Sequence, residues 1–438
     1  MNNSYKISII MPSLNVVEYI DECIMSAINQ TLKEIEIICI DAGSTDGTFE
    51  KLLNYQNQYK NVKVLKSNIK SYGYQVNLGI KESKGKYVAI LETDDFVKEE
   101  MYEYLYELAE NNNAEIVKAD FCSFITYFGG KRIFEKIRTL SENDEKYEKV
   151  LDPRYINRLY TSDYSVWKGI YNRSFLISNN IFFNESKGAA FQDIGFMMQV
   201  LSCAQRALYT DRFFYCYRVD RIEASSNSVH GLEYSYNEFK RIFETPELLN
   251  KMTNLTGVYF RMVQSFITEL IKTLRALNYD LNSEYIYLYY FWFKDRIENS
   301  EFKTELFDLF SELFQIIYNI DEYIYKLRKS DEEDIIKERK LLSIVKDKGI
   351  VVFGAGNYGK NCIELLYKNN IRITAVCDNN KLIWNTEKYF VNVYSPEVCV
   401  DKFKDALYII ANKLNKESIH FQLLSYGVKE ENIYIYQI

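Results

Sequence analysis

The feature that most constrains the fold is an alternation of two hydrophobic patterns over residues 6 to about 124. Short runs of apolar and β-branched residues indicate buried strands, and between them apolar residues recur at helical spacing. The predicted strands are residues 6–11, 34–40, 62–65, 87–91 and 115–121. Strands that alternate with helices form a parallel, doubly wound α/β sheet, and ligands bind at the carboxyl ends of its strands.

The rest of the chain divides into segments of different character. Residues from about 125 to 228 are more irregular and are typical of an elaboration that completes a site. From about Leu232, glycine and proline become rare and apolar residues repeat at three and four, which predicts several amphipathic helices. A second, smaller α/β pattern starts at Gly349. We therefore predict three parts: an α/β catalytic domain over residues 1–228, a helical region over 229–346 and a small α/β domain over 347–438.

Charge and cysteine usage narrow the classes of function. The 438 residues carry a formal net charge of −7 with acids and bases interspersed, which argues against a nucleic-acid partner. The eight cysteines form no CxxC pair, as expected for reduced core residues of a cytosolic protein. Neither a leader pattern nor an apolar run of about 18 residues is evident, so we expect a cytoplasmic protein, at most at the inner face of the membrane. With two histidines in the chain, carboxylates are expected to carry the chemistry.

Polar residues follow the first two predicted strands. The first strand runs into Pro12 and Ser13, and the second ends at Asp41 in a glycine-containing turn. A carboxylate at this place can accept the imide N–H of a uracil, while the proline and backbone groups flank the ring. An isolated Asp or Ser in such a turn is more often a helix N-cap or a turn residue.

The fourth predicted strand is followed by three carboxylates in four residues, Glu92, Asp94 and Asp95. Like charges this close raise one another's pKa unless a cation is present. Mg²⁺ or Mn²⁺ would remove that cost, bridge to a substrate diphosphate and offset the charge on a leaving group. A solvated acidic turn that caps the next helix explains one or two acids, but explains three directly after a buried strand less well.

Four ordered motifs make residues 6 to about 228 resemble the inverting family 2 glycosyltransferases of GT-A fold. They are ISIIMPSLN, IDAGSTDGT, the stretch from Gly73 to Asn77, and ETDD in the place of the family's DxD. The resemblance implies a metal-assisted, nucleotide-sugar-dependent enzyme in which Asp94 is the ligand of Mn²⁺ or Mg²⁺. It also implies that the donor is bound by Pro12, Ser13, Glu18, Asp41, Lys70, Gly73, Asn77, Glu92, Asp94 and Asp95.

The resemblance extends to the acceptor side. An inverting transfer needs a base that removes the proton of the acceptor hydroxyl, and the resemblance points to Asp193 in the segment FQDIGF. The alternative for Asp193 is an acid that complements a helix dipole. Trp167 resembles a residue beside the acceptor, where a sugar-stacking role and a core role have equal weight. Arg218 and Ser226 resemble the loop that closes over the diphosphate, although a surface ion pair also accounts for the arginine.

A glycine turn opens the C-terminal segment. Gly354, Gly356 and Gly359 form a GxGxxG that follows an apolar strand and precedes a helix, and Asp378 ends the next predicted strand. This is the context of a Rossmann-type dinucleotide fingerprint. Because no His, Lys or Tyr constellation for hydride transfer follows, we favour a small Rossmann-like module, nucleotide-binding or vestigial, used for assembly or regulation.

The leading hypothesis is a hexosyltransferase-type enzyme. It moves one sugar from a UDP-sugar to a saccharide or lipid-linked acceptor in the synthesis of bacterial capsule or another surface polysaccharide. Two alternatives stay open at this point: an NAD-linked sugar oxidoreductase that uses the C-terminal glycine turn, and a non-catalytic assembly scaffold. The apolar and aromatic middle helices are also compatible with peripheral membrane contact or a homo-oligomer, because periodicity does not separate an interface from a core.

Overall fold

The computed structural model describes residues 5–221, 228–280, 284–345 and 348–437. These residues form two compact units, each built around its own β-sheet. The first unit holds the chain as far as Asn319, apart from Tyr127–Gly129. The second unit holds those three residues together with the chain from Ile320.

The first unit alternates strands and helices and then continues in helices alone. Its strands are β1 (Ile7–Ser13), β2 (Ile35–Asp41), β3 (Val62–Lys66), β4 (Tyr87–Ile90), β5 (Phe96–Val97), β6 (Ile116–Tyr127), β7 (Lys131–Ile137), β8 (Gly169–Asn172) and β9 (Ala207–Arg218). Its helices are α1 (Ile20–Ile28), α2 (Thr48–Gln58), α3 (Tyr72–Glu82), α4 (Met101–Asn112), α5 (Asn157–Ser162), α6 (Arg173–Ser178), α7 (Gln192–Cys203), α8 (Gly231–Glu244), α9 (Pro246–Leu249), α10 (Leu255–Ala276), α11 (Glu284–Glu298), α12 (Lys303–Leu309) and α13 (Leu313–Tyr318).

The first sheet has the strand order β3-β2-β1-β4-β8-β6-β9-β5, and β7 pairs with β6 off this path. Strands β1 to β4 are parallel, with Ile7 opposite both Ile35 and Tyr87. Strand β8 runs antiparallel to β4 and β6, whereas β9 is parallel to β6 and antiparallel to β5. The sheet is therefore mixed and GT-A-like. The prediction of a parallel, doubly wound sheet is correct for β1 to β4 and wrong for β8 and β5, which run antiparallel to their neighbours.

The first strands are continuous apolar runs in the sequence because both of their faces are buried. Strands β1 and β2 are buried along their whole length, as parallel strands covered by helices are. Helix α1 turns its apolar residues towards this sheet at a spacing of three and four. Because β1, β2 and β4 are parallel neighbours, their carboxyl ends bring Ser13, Asp41 and the acidic segment 92–95 to one edge of the sheet.

Helices α8 to α13 lie in the first unit, within the stretch for which the sequence predicts several amphipathic helices. The longest of them, α10, starts where the side chain of Asn254 accepts the N–H of Gly257. A Cβ on Gly257 would lie 2.6 Å from the ring of Tyr160, so α10 packs very closely against α5. Within the described ranges, no helix combines the length and the apolar character needed to cross a membrane.

The second unit begins with a long helix and then forms a small α/β layer. Its elements are α14 (Ile320–Ile344), β10 (Ile350–Phe353), α15 (Asn357–Lys368), β11 (Ala375–Cys377), β12 (Glu387–Lys388), β13 (Val391–Tyr394), α16 (Pro396–Lys402), β14 (Leu407–Ile410), α17 (Lys416–Ser425) and β15 (Ile433–Ile435). The strand order is β12-β13-β11-β10-β14-β15. Among the described strands of this second sheet, only the β12–β13 pair is antiparallel. The predicted order of strand, glycine turn and helix is present from β10 to α15.

Candidate active site

The three carboxylates after β4 have three different environments, and Asp95 is the most enclosed. Asp95 is 1% exposed, and its carboxylate accepts the backbone N–H of Arg218 at 2.7 Å and the hydroxyl of Tyr215 at 2.7 Å. Burial raises the pKa of Asp95 well above its usual range, Asp94 raises it further, and these two hydrogen bonds oppose the rise. Asp95 therefore anchors the end of β9 to the acidic segment.

Glu92 is half-buried and is paired with a tyrosine. The hydroxyl of Tyr72, at the start of α3, donates to Glu92 Oε1 at 2.5 Å. Burial raises the pKa of Glu92 to about 8, the Tyr72 bond opposes this, and the charges of Asp94 and Asp193 raise it further. Glu92 thus lies within electrostatic range of both the acidic segment and the predicted base.

Asp94 is partly exposed and contacts an arginine. Its side chain is 20% exposed, and its Oδ2 accepts from Arg221 Nη1 at 2.9 Å. No group of three metal-ligating side chains occurs in the parts of the chain that the structure describes. A single carboxylate nevertheless fits Mg²⁺ or Mn²⁺ chemistry of the kind in which substrate phosphates and water complete the coordination shell. The residues present therefore fit a cation held jointly with a diphosphate.

Arg218, the predicted diphosphate ligand, is buried among protein groups, and its predicted role stays a prediction. Its side chain is 8% exposed, and its Nε donates to the carbonyl oxygen of Asp94 at 2.9 Å. The same guanidinium lies 3.3 Å from Glu22 Oε2 and 4.8 Å from the ring centroid of Tyr19. Arg221, three residues further on, is the arginine that reaches the carboxylate of Asp94. The sequence contained both arginines, but nothing in their spacing distinguished the buried Arg218 from the more exposed Arg221.

The nucleotide end of the predicted site is held by backbone hydrogen bonds. Asp41 is 1% exposed, and its Oδ1 accepts the N–H groups of Gly43 and Ser44, both at 3.0 Å. Gln75, which the sequence analysis missed, donates to the carbonyl oxygens of Ser13 and Ile40 and so ties the ends of β1 and β2 together. The sequence signal for this role was a glutamine near the start of the helix that follows β3.

The other donor residues predicted near this edge differ in exposure. The backbone carbonyl of Pro12, on β1, accepts the hydroxyl of Thr93 at 2.9 Å, which joins β1 to the acidic segment. Glu18 and Lys70 are exposed.

Two residues on α3 that are predicted to bind the donor, Gly73 and Asn77, contact residues 183–185, and their role in donor binding stays a prediction. A Cβ on Gly73 would lie 1.9 Å from the carbonyl oxygen of Asn184, so only glycine allows this approach. Asn77 binds the backbone of Phe183 twice, accepting its N–H at 3.0 Å and donating to its carbonyl oxygen at 3.1 Å. Asn77 also donates to Glu185 at 2.9 Å. These contacts fasten the segment that leads to α7 onto α3.

Asp193 lies in the first turn of α7 and is partly exposed. Its Oδ1 accepts the N–H of Ile194 at 2.9 Å. Burial raises the pKa of Asp193 to about 6, the charge of Arg261 opposes this rise, and Glu238 adds to it. A carboxylate with a pKa near 6 is mostly ionised at neutral pH and is a stronger base than an ordinary aspartate. Its neighbour Gln192 is buried and donates to Ser186 and Gly188, which holds the loop before α7.

Trp167 is stacked within a group of aromatic rings. Its ring is parallel to that of Tyr217, with centroids 5.1 Å apart, and lies 4.2 Å from that of Tyr215. Phe121 meets it edge to face at 4.8 Å. The indole is partly buried. These contacts are those of a packing residue. The predicted role of Trp167 beside the acceptor stays a prediction.

The C-terminal glycine turn is closed by Asp378. Asp378 Oδ2 accepts the N–H of Ala355 at 2.7 Å, and its Oδ1 accepts the N–H of Asn380 at 2.7 Å. Gly354 has a φ of +122°, and a Cβ on Gly359 would lie 1.8 Å from the carbonyl oxygen of Gly354. Asp378 and these two glycines therefore build the turn itself. Gly356 has open space around its Cα, and the nucleotide-binding role predicted for the turn stays a prediction.

Ser226, the last of the predicted donor residues, lies outside the described residues. Glu92 and Asp94 lie at the carboxyl edge of a GT-A-like mixed sheet, and the charge of Asp193 acts on Glu92. Together with the four sequence motifs, this fold and these acids indicate a glycosyltransferase.

Comparisons with known proteins agree with that class. The family profile described as Glycosyl transferase family 2 matches residues 8–165, and the profile described as C2185-like, N-terminal, matches residues 346–434. Glycosyltransferase GlyG of Streptococcus pneumoniae is 30% identical over 222 residues, which cover 48% of this chain and 70% of that protein. The chain belongs to glycosyl transferase family 2.

Two further similarities extend beyond the profile. Cholesterol galactosyltransferase of Borreliella burgdorferi is 28% identical over 298 residues, 66% of this chain and 81% of that protein. The crystal structure of S. aureus TarS 1–349 in complex with UDP-GlcNAc has a TM-score of 0.54 at 19% identity and covers 75% of this chain and 92% of that one. At that identity the TarS similarity supports the fold.

Proposed function

We propose that this glycosyltransferase is an inverting enzyme that moves a hexose from a UDP-sugar to a hydroxyl of a saccharide or lipid-linked acceptor. The product would be part of a bacterial capsule or another surface polysaccharide, made at the cytoplasmic face of the membrane. One observation carries the proposal: helix α3 joins the acidic segment, through the Tyr72 hydroxyl on Glu92, to the segment that leads to Asp193, through the two hydrogen bonds of Asn77 with Phe183. Asp94, which suits the diphosphate, and Asp193, which suits the acceptor, therefore belong to one site.

The donor end of the proposal rests on Asp94 and Arg221. With a UDP-sugar bound, Asp94 would hold Mn²⁺ or Mg²⁺ against the diphosphate, and the cation would offset the negative charge of the leaving group. Arg221 neutralises Asp94 in the described structure, and its planar guanidinium suits a phosphate oxygen. Pro12, Ser13 and Asp41 would flank the nucleotide base at the ends of β1 and β2.

The acceptor end of the proposal rests on Asp193. The acceptor oxygen attacks the anomeric carbon from the face opposite the diphosphate and passes its proton to Asp193. The bond between the anomeric carbon and the diphosphate oxygen breaks, and the nucleoside diphosphate leaves. The pKa of about 6 leaves Asp193 ionised and ready to accept that proton at neutral pH.

UDP is proposed as the nucleotide because the structurally similar TarS was crystallised with UDP-GlcNAc. The test is a panel of UDP- and GDP-sugars with Mn²⁺, Mg²⁺ or a chelator, which compares the intact protein with Asp94→Ala and Asp193→Ala. We expect metal-dependent release of UDP that Asp94→Ala abolishes, and loss of transfer to the acceptor in Asp193→Ala. Binding and turnover of GDP-sugars alone would overturn the choice of nucleotide. Full transfer by both variants would overturn the assigned roles.

A further inference from the structure

Tyr72, the first residue of α3, is held by contacts of both its ring and its backbone. Its ring meets that of Phe183 edge to face, with the centroids 5.8 Å apart. Its backbone N–H donates to the carbonyl oxygen of Gly188 at 2.9 Å, and the same carbonyl oxygen accepts the side-chain amide of Gln192 at 3.3 Å. These contacts fix the position of the phenol within the protein.

The hydroxyl of Tyr72 occupies one of the two carboxyl oxygens of Glu92. It donates to Oε1 at 2.5 Å. The backbone of Glu92 is fixed as well, because its N–H donates to the hydroxyl of Tyr215 at 3.2 Å and its carbonyl oxygen accepts the N–H of Asp95 at 3.1 Å. The second oxygen, Oε2, accepts no hydrogen bond from the residues that the structure describes. Glu92 therefore keeps one acceptor oxygen, and Tyr72 sets its direction.

The other two acids after β4 have different partners. Both oxygens of Asp95 accept hydrogen bonds from β9, and Oδ2 of Asp94 contacts Arg221. Position 92 carries a glutamate where the DxD motif has an aspartate, and the additional methylene lets its carboxyl reach a hydroxyl on α3. Glu92 is thus the acid of this segment that combines a fixed orientation with a free acceptor oxygen among the described contacts.

We propose that Tyr72 is a positioning residue that orients Glu92 so that Oε2 accepts a hydroxyl of the sugar-nucleotide donor. This inference rests on the proposed function, because it names the kind of donor group that the site recognises. An acceptor that is already oriented loses little freedom when the donor binds, and it favours donors that carry a hydroxyl at that place. The ribose and the transferred sugar both offer such a hydroxyl. Tyr72 thereby contributes to donor recognition through Glu92 without touching the donor.

The test is steady-state transfer by the full chain, in which the KM for the donor is measured separately from kcat. We expect Tyr72→Phe to raise the donor KM about tenfold and to leave kcat within about twofold, because the variant loses a hydrogen bond to a carboxyl but keeps the proposed base and cation ligand. Tyr74→Phe is the matched control, because it removes a hydroxyl from the same helix and should change neither constant. An unchanged donor KM in Tyr72→Phe would overturn the inference.

Glu92→Asp shows whether Tyr72 acts through the carboxyl of Glu92. The shorter acid withdraws from the hydroxyl, so in this background Tyr72→Phe should raise the donor KM by less than about twofold. A further rise of about tenfold would contradict the proposed role, because the tyrosine would then act independently of Glu92. If Tyr72→Phe does not fold, Glu92→Gln makes the comparison. It keeps an oxygen for Tyr72 but replaces the second acceptor by an amide donor, so a donor KM equal to that of wild type would overturn the inference.

Calorimetric titrations with UDP and with the UDP-sugar identify the recognised hydroxyl. Weaker binding of both ligands to Tyr72→Phe assigns it to the ribose, and weaker binding of the UDP-sugar alone assigns it to the transferred sugar. Either result supports the role of Tyr72. Equal affinities of wild type and Tyr72→Phe for both ligands contradict that role alone. A wild-type chain that neither binds nor turns over a UDP-sugar contradicts the proposed function itself.

Discussion

The two units place an acid at the end of a parallel strand in the same way but use it differently. In the second unit, both oxygens of Asp378 accept backbone N–H groups, which closes the glycine turn. In the first unit, Asp94 follows β4 and contacts one arginine, whereas Asp193 lies in the first turn of α7 and accepts one backbone N–H. An acid whose two oxygens both accept backbone N–H groups builds a turn. A partly exposed acid that keeps hydrogen-bonding capacity is available to a ligand.

The largest effect should come from exchanging each acid for its amide. We expect Asp193→Asn and Asp94→Asn each to lower the rate of transfer by about 10²–10⁴-fold, because the first loses a base and the second a ligand for the diphosphate cation. Asp378→Asn is the matched control in the second unit and should transfer at the wild-type rate. Initial rates at saturating donor test this, and comparable losses in all three variants would remove the distinction between the units.

The next contrast separates two arginines of the first unit. Arg218 is buried among fixed acceptors, so Arg218→Gln should lower the free energy of unfolding by about 3 kcal/mol. Arg221 is more exposed and contacts Asp94, so Arg221→Gln should leave stability near wild type and raise the KM for the donor. Urea denaturation and steady-state kinetics on both variants distinguish these outcomes. The reverse pattern would favour Arg218 as the diphosphate ligand.

The glycine turn of the second unit should respond to alanine in a position-dependent way. Gly359→Ala and Gly354→Ala place a Cβ 1.8 Å and 2.5 Å from backbone oxygens, so each should destabilise the second unit by about 2–4 kcal/mol. Gly356→Ala meets no atom within 4 Å and should change stability by less than about 0.5 kcal/mol. Hydrogen exchange of the β10 amides measures each effect locally. Equal protection in the three variants would show that close packing does not hold this turn.

The smallest effect concerns the free energy of unfolding, which ionisation of Asp193, the proposed base, lowers. The pKa of Asp193 is raised from 3.8 to about 6 in the folded protein, so its ionisation destabilises the fold as the pH rises through 6. We expect Asp193→Asn to match wild type near pH 4 and to be more stable by about 2 kcal/mol at pH 8, after allowance for partial exposure. Urea denaturation at both pH values, followed by tryptophan fluorescence in a Trp384→Phe background, reports on the first unit. A gain that is equal at pH 4 and pH 8 would contradict the raised pKa.

Local patterns made the early part of the fold predictable. Strands β1 to β4 and the helices between them follow from runs and spacings that each span a few residues. The later strands pair across long stretches of chain, with β9 beside both β6 and β5, and no local pattern encodes which neighbour a strand takes.

The sequence also predicted only part of the candidate site. The acids at strand ends follow from motif and position, but the contacts of Gly73 and Asn77 with residues 183–185 do not. The roles of Arg218 and Arg221 depend on which of them is buried, and sequence spacing does not determine that.

The two bonds between the side-chain amide of Asn77 and the backbone of Phe183 imitate the pairing of neighbouring strands. Together with the close approach at Gly73, they fasten α3 to the segment that leads to the proposed base Asp193. Any movement of α3 would therefore carry that segment with it.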